Sequence, residues 1–175
     1  MAYEIESDWI TKSGLRAVCV IMLNCGWKWH RCGYVEVPAT HRLYGVSYSD
    51  PLSDIPQREA EQATLGNKSL ILLFTARCGA FEGETVRRSL DVVIDCHGGL
   101  TYSGEGYPVD TKGWWFGFDC GHSGDAEIEP YPEQLKWSRD GIVRDREYVE
   151  CECERLAEQI IRLFPIAHVE ESNGR

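Results

Sequence analysis

The 175-residue chain has no apolar run that could cross a bilayer: its longest, Ala17 to Leu23 and Leu70 to Phe74, fall far short of the ~20 residues a spanning helix needs. Its first residues, Met1 to Asp8, hold no basic segment followed by an apolar one, so nothing reads as an export signal and a cytoplasmic protein is expected. No CxxC pair occurs among eight cysteines, which argues against a zinc ribbon or finger, and a reducing compartment makes free thiols the expectation rather than disulfides. Basic residues are also in deficit. With 18 Lys and Arg against 28 Asp and Glu, the net charge of -10 excludes broad contact with extended nucleic acid, although a small anion can still be held where a few cations line a cleft. HExxH, HxHxDH and HD patterns are missing. Histidine itself is scarce, five in all, and four lie in polar, glycine- or arginine-rich surroundings at His30, His41, His97 and His122.

What is present fits one globular domain over residues 1–168 with a polar tail over 169–175: 43% of residues are hydrophobic and no tract is of low complexity. Ala17 to Leu23 is a β-branched apolar run bounded by Gly14 and Asn24, which predicts a buried strand. Between Arg31 and Val37, Gly33, Val35 and Val37 alternate with Cys32, Tyr34 and Glu36, predicting a half-buried strand that Pro38 ends and that pairs with the first as a hairpin. His41 to Pro56 reads as an ordered loop, Gln57 to Leu65 as a short helix, and Leu70 to Ala76 as strand or helix. The strongest strand signals are Leu90 to Asp95 and Trp114 to Asp119. Val149, Cys153, Leu156, Ile160 and Phe164, flanked by Ala157 and Ile161, repeat at helical spacing until Pro165, predicting a long amphipathic helix packed on the sheet. Glu147, Glu150, Glu152, Glu154 and Glu158 are assigned to its solvated face. The fold class expected is α+β, a small mixed or antiparallel sheet with this C-terminal helix on it.

Both strong strand signals run into the same kind of sequence, Asp95-Cys96-His97-Gly98-Gly99 and Asp119-Cys120-Gly121-His122-Ser123-Gly124-Asp125. Polar side chains at strand ends sit in loops on a rigid scaffold, where binding and catalytic groups concentrate. A simple hairpin would put the two ends on opposite sheet edges, so their meeting requires a crossover or a second copy of the chain, and a homo-oligomer is one route to it.

Three chemistries fit these residues. His97, Asp119, Cys120, His122 and Asp125 are ligand types for zinc, but their spacing matches no metal motif, so zinc is the weaker alternative and no cofactor is assigned. Two histidines facing one phosphodiester could exchange protons as base and acid, with Asp119 or Asp125 orienting one of them and Thr101, Tyr102 or the Gly98-Gly99 amides holding the phosphate. Binding without turnover would use aromatic walls such as Trp115 and Tyr102 with His30 and Arg31 as polar groups. The catalytic candidates are therefore His97, His122, Asp119 and Asp125, and the ligand-binding candidates Thr101, Tyr102, Trp115, His30 and Arg31.

The segments His30-Arg31-Cys32-Gly33-Tyr34-Val35, His41-Arg42-Leu43-Tyr44-Gly45, His97-Gly98-Gly99-Leu100-Thr101-Tyr102-Ser103-Gly104 and Trp114 to Asp125, with Tyr148 and Glu154-Arg155-Leu156-Ala157, resemble a family of small uncharacterised phage and bacterial proteins. Arg42 stands where that family usually has proline. By analogy with phage proteins of this size that bind or cleave nucleotide signals of bacterial defence, the resemblance implies a nucleotide-like small ligand. Sequestration of it is the first expectation, its hydrolysis by a phosphodiesterase the second, and a structural role in the phage the third.

Overall fold

The computed structural model describes residues 2–52, 89–129 and 141–166. The helix expected over Gln57 to Leu65, the ambiguous segment Leu70 to Ala76 and the tail over 169–175 lie outside the described residues. Five strands form one open antiparallel sheet: β1 (Ala2–Ile10), β2 (Arg16–Asn24), β3 (Trp27–Val37), β4 (Tyr102–Gly104) and β5 (Trp114–Asp119), in the order β1-β2-β3-β5-β4. A short helix, α1 (Leu90–Val93), precedes β4, and an 18-residue helix, α2 (Arg146–Leu163), packs on β2 and β3. The fold is α+β. No helix among the described residues is long and apolar enough to cross a membrane.

The β2–β3 hairpin forms where the sequence predicts it, turning through Cys25 and Gly26, both with positive φ. The expectation of a half-buried β3 is corrected, because both its faces are covered. On one side Val35 and Val37 join Phe116 and Phe118 beneath the helix residues Val149, Cys153, Leu156, Ala157, Ile160 and Phe164. On the other, Cys32 and Tyr34 join Val18, Val20 and the fully buried Trp115, with Tyr3, Tyr102 and Tyr107 packed over them. A central strand sandwiched this way has no solvent face for alternation to report.

β1 alternates in sequence, Tyr3, Ile5 and Trp9 against Glu4, Glu6 and Asp8, but a bulge between Ile5 and Ser7 breaks that alternation in the sheet. The extra residue reverses which side chains face which side. Tyr3 and Trp9, both odd-numbered, thus pack on opposite faces of the sheet. Trp9 Nε1 and the Lys12 amide both donate to the Glu154 carboxylate, at 3.0 and 2.9 Å, tying this end of the sheet to α2.

Helix α2 starts at an Asp145 cap, whose carboxylate accepts from the Tyr148 amide at 2.8 Å, and stops at Phe164 before Pro165. Its apolar stripe is the predicted one. Glu152 departs from the expected solvated face: it is buried, and accepts from Arg155 at 2.5 Å. The segment Leu90 to Asp95 also departs from expectation. It is not a strand but the single helical turn α1 followed by extended chain, with Leu90, Val93 and Ile94 in the core under α2 and Asp95 bonded outside to Arg155 and Gln159. A short apolar run surrounded by core looks alike in either conformation. His41 is a buried cap. Leu43 N–H donates to its Nδ1 at 3.2 Å, which leaves Nε2 to donate to Phe164 O at 2.8 Å, and burial lowers its pKa, so the ring is neutral.

Candidate functional site

Strand β5 delivers Asp119 to the sheet's end, and the chain then folds back on itself. Gly121 N–H donates to Asp119 Oδ1 at 2.9 Å, and His122 N–H donates to Asp125 Oδ2 at 3.1 Å, so two short aspartate turns shape the loop. Asp125 bridges to Ile142, which brings Arg144 alongside. The first turn of α2 supplies Tyr148. From the other side comes the loop after α1, where the Gly98-Gly99 turn, both residues at positive φ, presents His97.

Asp125 is the hub. It is 3% exposed, yet its carboxylate accepts from His97 Nε2 at 2.8 Å, from Arg144 Nε at 2.8 Å and from the His122 amide. Burial pushes its pKa up, but the bonds from Arg144 and His97, the His97 charge and the His122 amide outweigh that, so the carboxyl lies below its ordinary value and is ionised. An ionised Asp125 fixes the proton of His97 on Nε2. Its other nitrogen, Nδ1, lies 2.9 Å from the Tyr148 hydroxyl. Burial raises the Tyr148 pKa, Glu152 adds to this and Arg144 opposes it, so the hydroxyl keeps its proton at rest. The Arg144 guanidinium lies over the Tyr148 ring, 4.8 Å from its centroid.

The second histidine stands beside the first, with ring centroids 5.7 Å apart and planes inclined by 36°. His122 Nε2 is buried without a hydrogen-bond partner and points toward Asp119 Oδ1 at 3.7 Å. The ring as a whole is a third exposed. Each histidine therefore has its own carboxylate, His97 with Asp125 and His122 with Asp119.

No family model matches the chain, and comparison with curated proteins and with solved structures gives no match.

The four expected catalytic residues, His97, His122, Asp119 and Asp125, are brought together by one copy of the chain; neither a parallel crossover nor a second subunit is needed, because the His97 segment is not a strand. The expected ligand-binding residues divide. His30 sits beside the Asp119–Gly121 turn and edge-on to Trp29, at 4.3 Å between ring centroids. Arg31 is committed to structure, with Nε and Nη2 on Glu6 at 2.6 and 2.9 Å and Nη1 on the Arg144 carbonyl at 2.9 Å, so it holds the Arg144 backbone. Trp115 and Tyr102 belong to the cluster on the face of the sheet opposite α2, the former with no exposure, and are not walls of this site. Exposed Thr101 pairs its amide with Gly117 beside β4. Cys120 is buried, and burial with the nearby Asp125 raises its thiol pKa. Among the described residues no three His, Cys, Asp or Glu are grouped to hold a metal ion. A cavity of about 510 Å³ lined by Ile10, Leu15, Pro38 and Lys112 lies at the other end of the sheet and shares none of these residues.

Gly98 has a different task from the phosphate cradle expected of it: a Cβ there would overlap Nε2 and Cδ2 of His122. The second imidazole lies directly on this backbone. Gly98→Ala, at φ +66°, combines left-handed strain of ~1–2 kcal/mol with displacement of that ring. Because His122 is a third exposed and can swing outward, the total expected is about 2 kcal/mol in urea unfolding. Imidazole NMR should show His122, not His97, as the ring that moves; unchanged His122 signals would contradict the packing.

Two members of the site, Arg144 and Tyr148, are not among the residues the sequence singles out for it; Arg144 stands 19 positions from its partner Asp125. Its only local sign is its place just before the Asp145 cap.

Proposed function

We propose that this end of the sheet binds a small nucleotide-like anion, and that the protein works as a phage counter-defence factor that sequesters a nucleotide signal. The observation that carries the reading is Arg144. Asp125 takes its Nε, and among the described residues neither terminal nitrogen has a hydrogen-bond partner, so a fixed guanidinium edge remains for phosphate. Guanidinium holds phosphate in a fork geometry that ammonium cannot match. The His122 ring, a third exposed, stands on the same loop as Asp125, and the Trp29–His30 pair supplies ring surface near the Asp119–Gly121 turn. A net charge of -10 makes a local cationic edge selective for small ligands, since a long polyanion meets the acidic surface around it.

The test is incubation of the purified chain with cyclic dinucleotides and ADP-ribose-derived nucleotides, removal of free ligand, denaturation and identification of what is released. A retained nucleotide is expected. Arg144→Gln should weaken its binding by about 10- to 100-fold, the worth of ~1.5–3 kcal/mol for hydrogen bonds to a charged group. Retention of none of these nucleotides, or equal binding by the variant, would overturn the reading.

A further inference from the structure

His97 cannot itself touch a ligand through nitrogen, because both its nitrogens are already engaged: Nε2 at 2.8 Å from Asp125 and Nδ1 at 2.9 Å from Tyr148. The geometry is that of an oriented base with a hydroxyl on its free side, the arrangement that activates hydroxyls in acyl-transfer enzymes, here with a phenol. We propose that Tyr148, His97 and Asp125 form a proton relay that gives the site a phosphodiesterase activity, with Tyr148 as the catalytic residue and His97 and Asp125 positioning it. This rests on the nucleotide-binding reading above and adds turnover to it.

The step balances without another reactant than water. Water attacks phosphorus and forms the new P–O bond. Its proton passes to the Tyr148 oxygen as the phenolic proton moves to His97 Nδ1, and the resulting imidazolium is held by ionised Asp125. The opposite P–O bond breaks, and the departing alkoxide takes a proton from the protonated His122 ring. Loss of a proton from His97 to solvent and gain of one by His122 restore the start. Arg144, beside the Tyr148 ring at 4.8 Å, lies where the charge on phosphate grows. That two neighbouring imidazoles stand in opposite roles follows from their neighbours: one has both nitrogens engaged by Asp125 and Tyr148, whereas the other ring is a third exposed.

Tyr148→Phe separates this from a packing role, since the ring and its contact with Arg144 remain while the hydroxyl goes. With bis(4-nitrophenyl) phosphate as probe, the wild type should release nitrophenolate, and Tyr148→Phe should be slower by at least about 100-fold, the lower range for general acid–base catalysis. Nitrophenolate leaves without a proton, so this probe reads the attacking side of the step alone. His97→Ala should lose activity and regain part of it with added free imidazole, which a structural histidine would not do. Wild-type inactivity, an undiminished Tyr148→Phe rate or no imidazole rescue would overturn the relay. Binding of nucleotide by an inactive wild type would sink turnover alone, whereas failure to bind any would sink the pocket.

Discussion

Asp125→Ala is expected to destabilise the protein by about 3–5 kcal/mol, the range for removing one partner of a buried ion pair. Three donors converge on this carboxylate, from His97, Arg144 and the His122 amide, and without it they face each other around the space of a residue only 3% exposed. Asp125→Asn should cost less, about 2 kcal/mol, because the amide oxygen still accepts two bonds while its NH2 is turned against the third donor. The same carboxylate predicts an acid dependence. Its folded pKa is below the unfolded value of about 3.8, so its stabilisation is complete above that value and is lost as pH falls through the folded pKa. Urea unfolding between neutral pH and pH 2 should show a wild-type stability that falls more steeply below about pH 4 than that of Asp125→Asn. Parallel acid limbs would mean that Asp125 is not ionised in the fold.

How far this site could be read from sequence depends on how locally each part is determined. His122 and Asp125 belong to one loop after one strand, and Asp119 ends that strand, so their proximity follows from local chain geometry. His97 reaches them by a route other than the one its strand-like flank implies. Leu90 to Asp95 has the apolar content of a strand, and only tertiary packing under α2 makes it a helical turn; the expected conflict between antiparallel pairing and converging ends therefore never arises. Trp115 and Tyr102 show the converse. Their residue types suit a ligand wall, but strand alternation puts Trp115 on the face opposite Phe116 and Phe118, away from α2, where it and Tyr102 fill a second core. Arg144 has no periodic signal at all. The apolar stripe of the amphipathic helix is legible because one continuous segment carries it, whereas the burial of Glu152 beside Arg155 is not.

The packing of that helix yields the second large effect. Gly33 lies on β3 directly under α2, and a Cβ there would come 2.5 Å from Phe118 Cζ and 2.7 Å from Cys153 Sγ. Phe118 is its cross-strand partner, with its ring laid over the glycine, while Cys153 descends from the helix with no exposure. On the reverse face the neighbouring pair inverts the pattern, with the Tyr34 ring over Gly117. Both aromatic rings thus occupy the space that a missing Cβ leaves, which explains two glycines in strands whose backbones need no positive φ. Gly33→Ala should cost about 2–3 kcal/mol, since neither the buried ring nor the helix can give way freely. Cys153→Ala removes the sulfur from one of the two contacts, so in the double variant the penalties should fall short of their sum by about 1 kcal/mol. Urea unfolding of the four proteins in that cycle measures the coupling. Simple additivity would mean that the Cys153 sulfur does not close over Gly33, and that something other than this glycine sets the distance between α2 and the sheet.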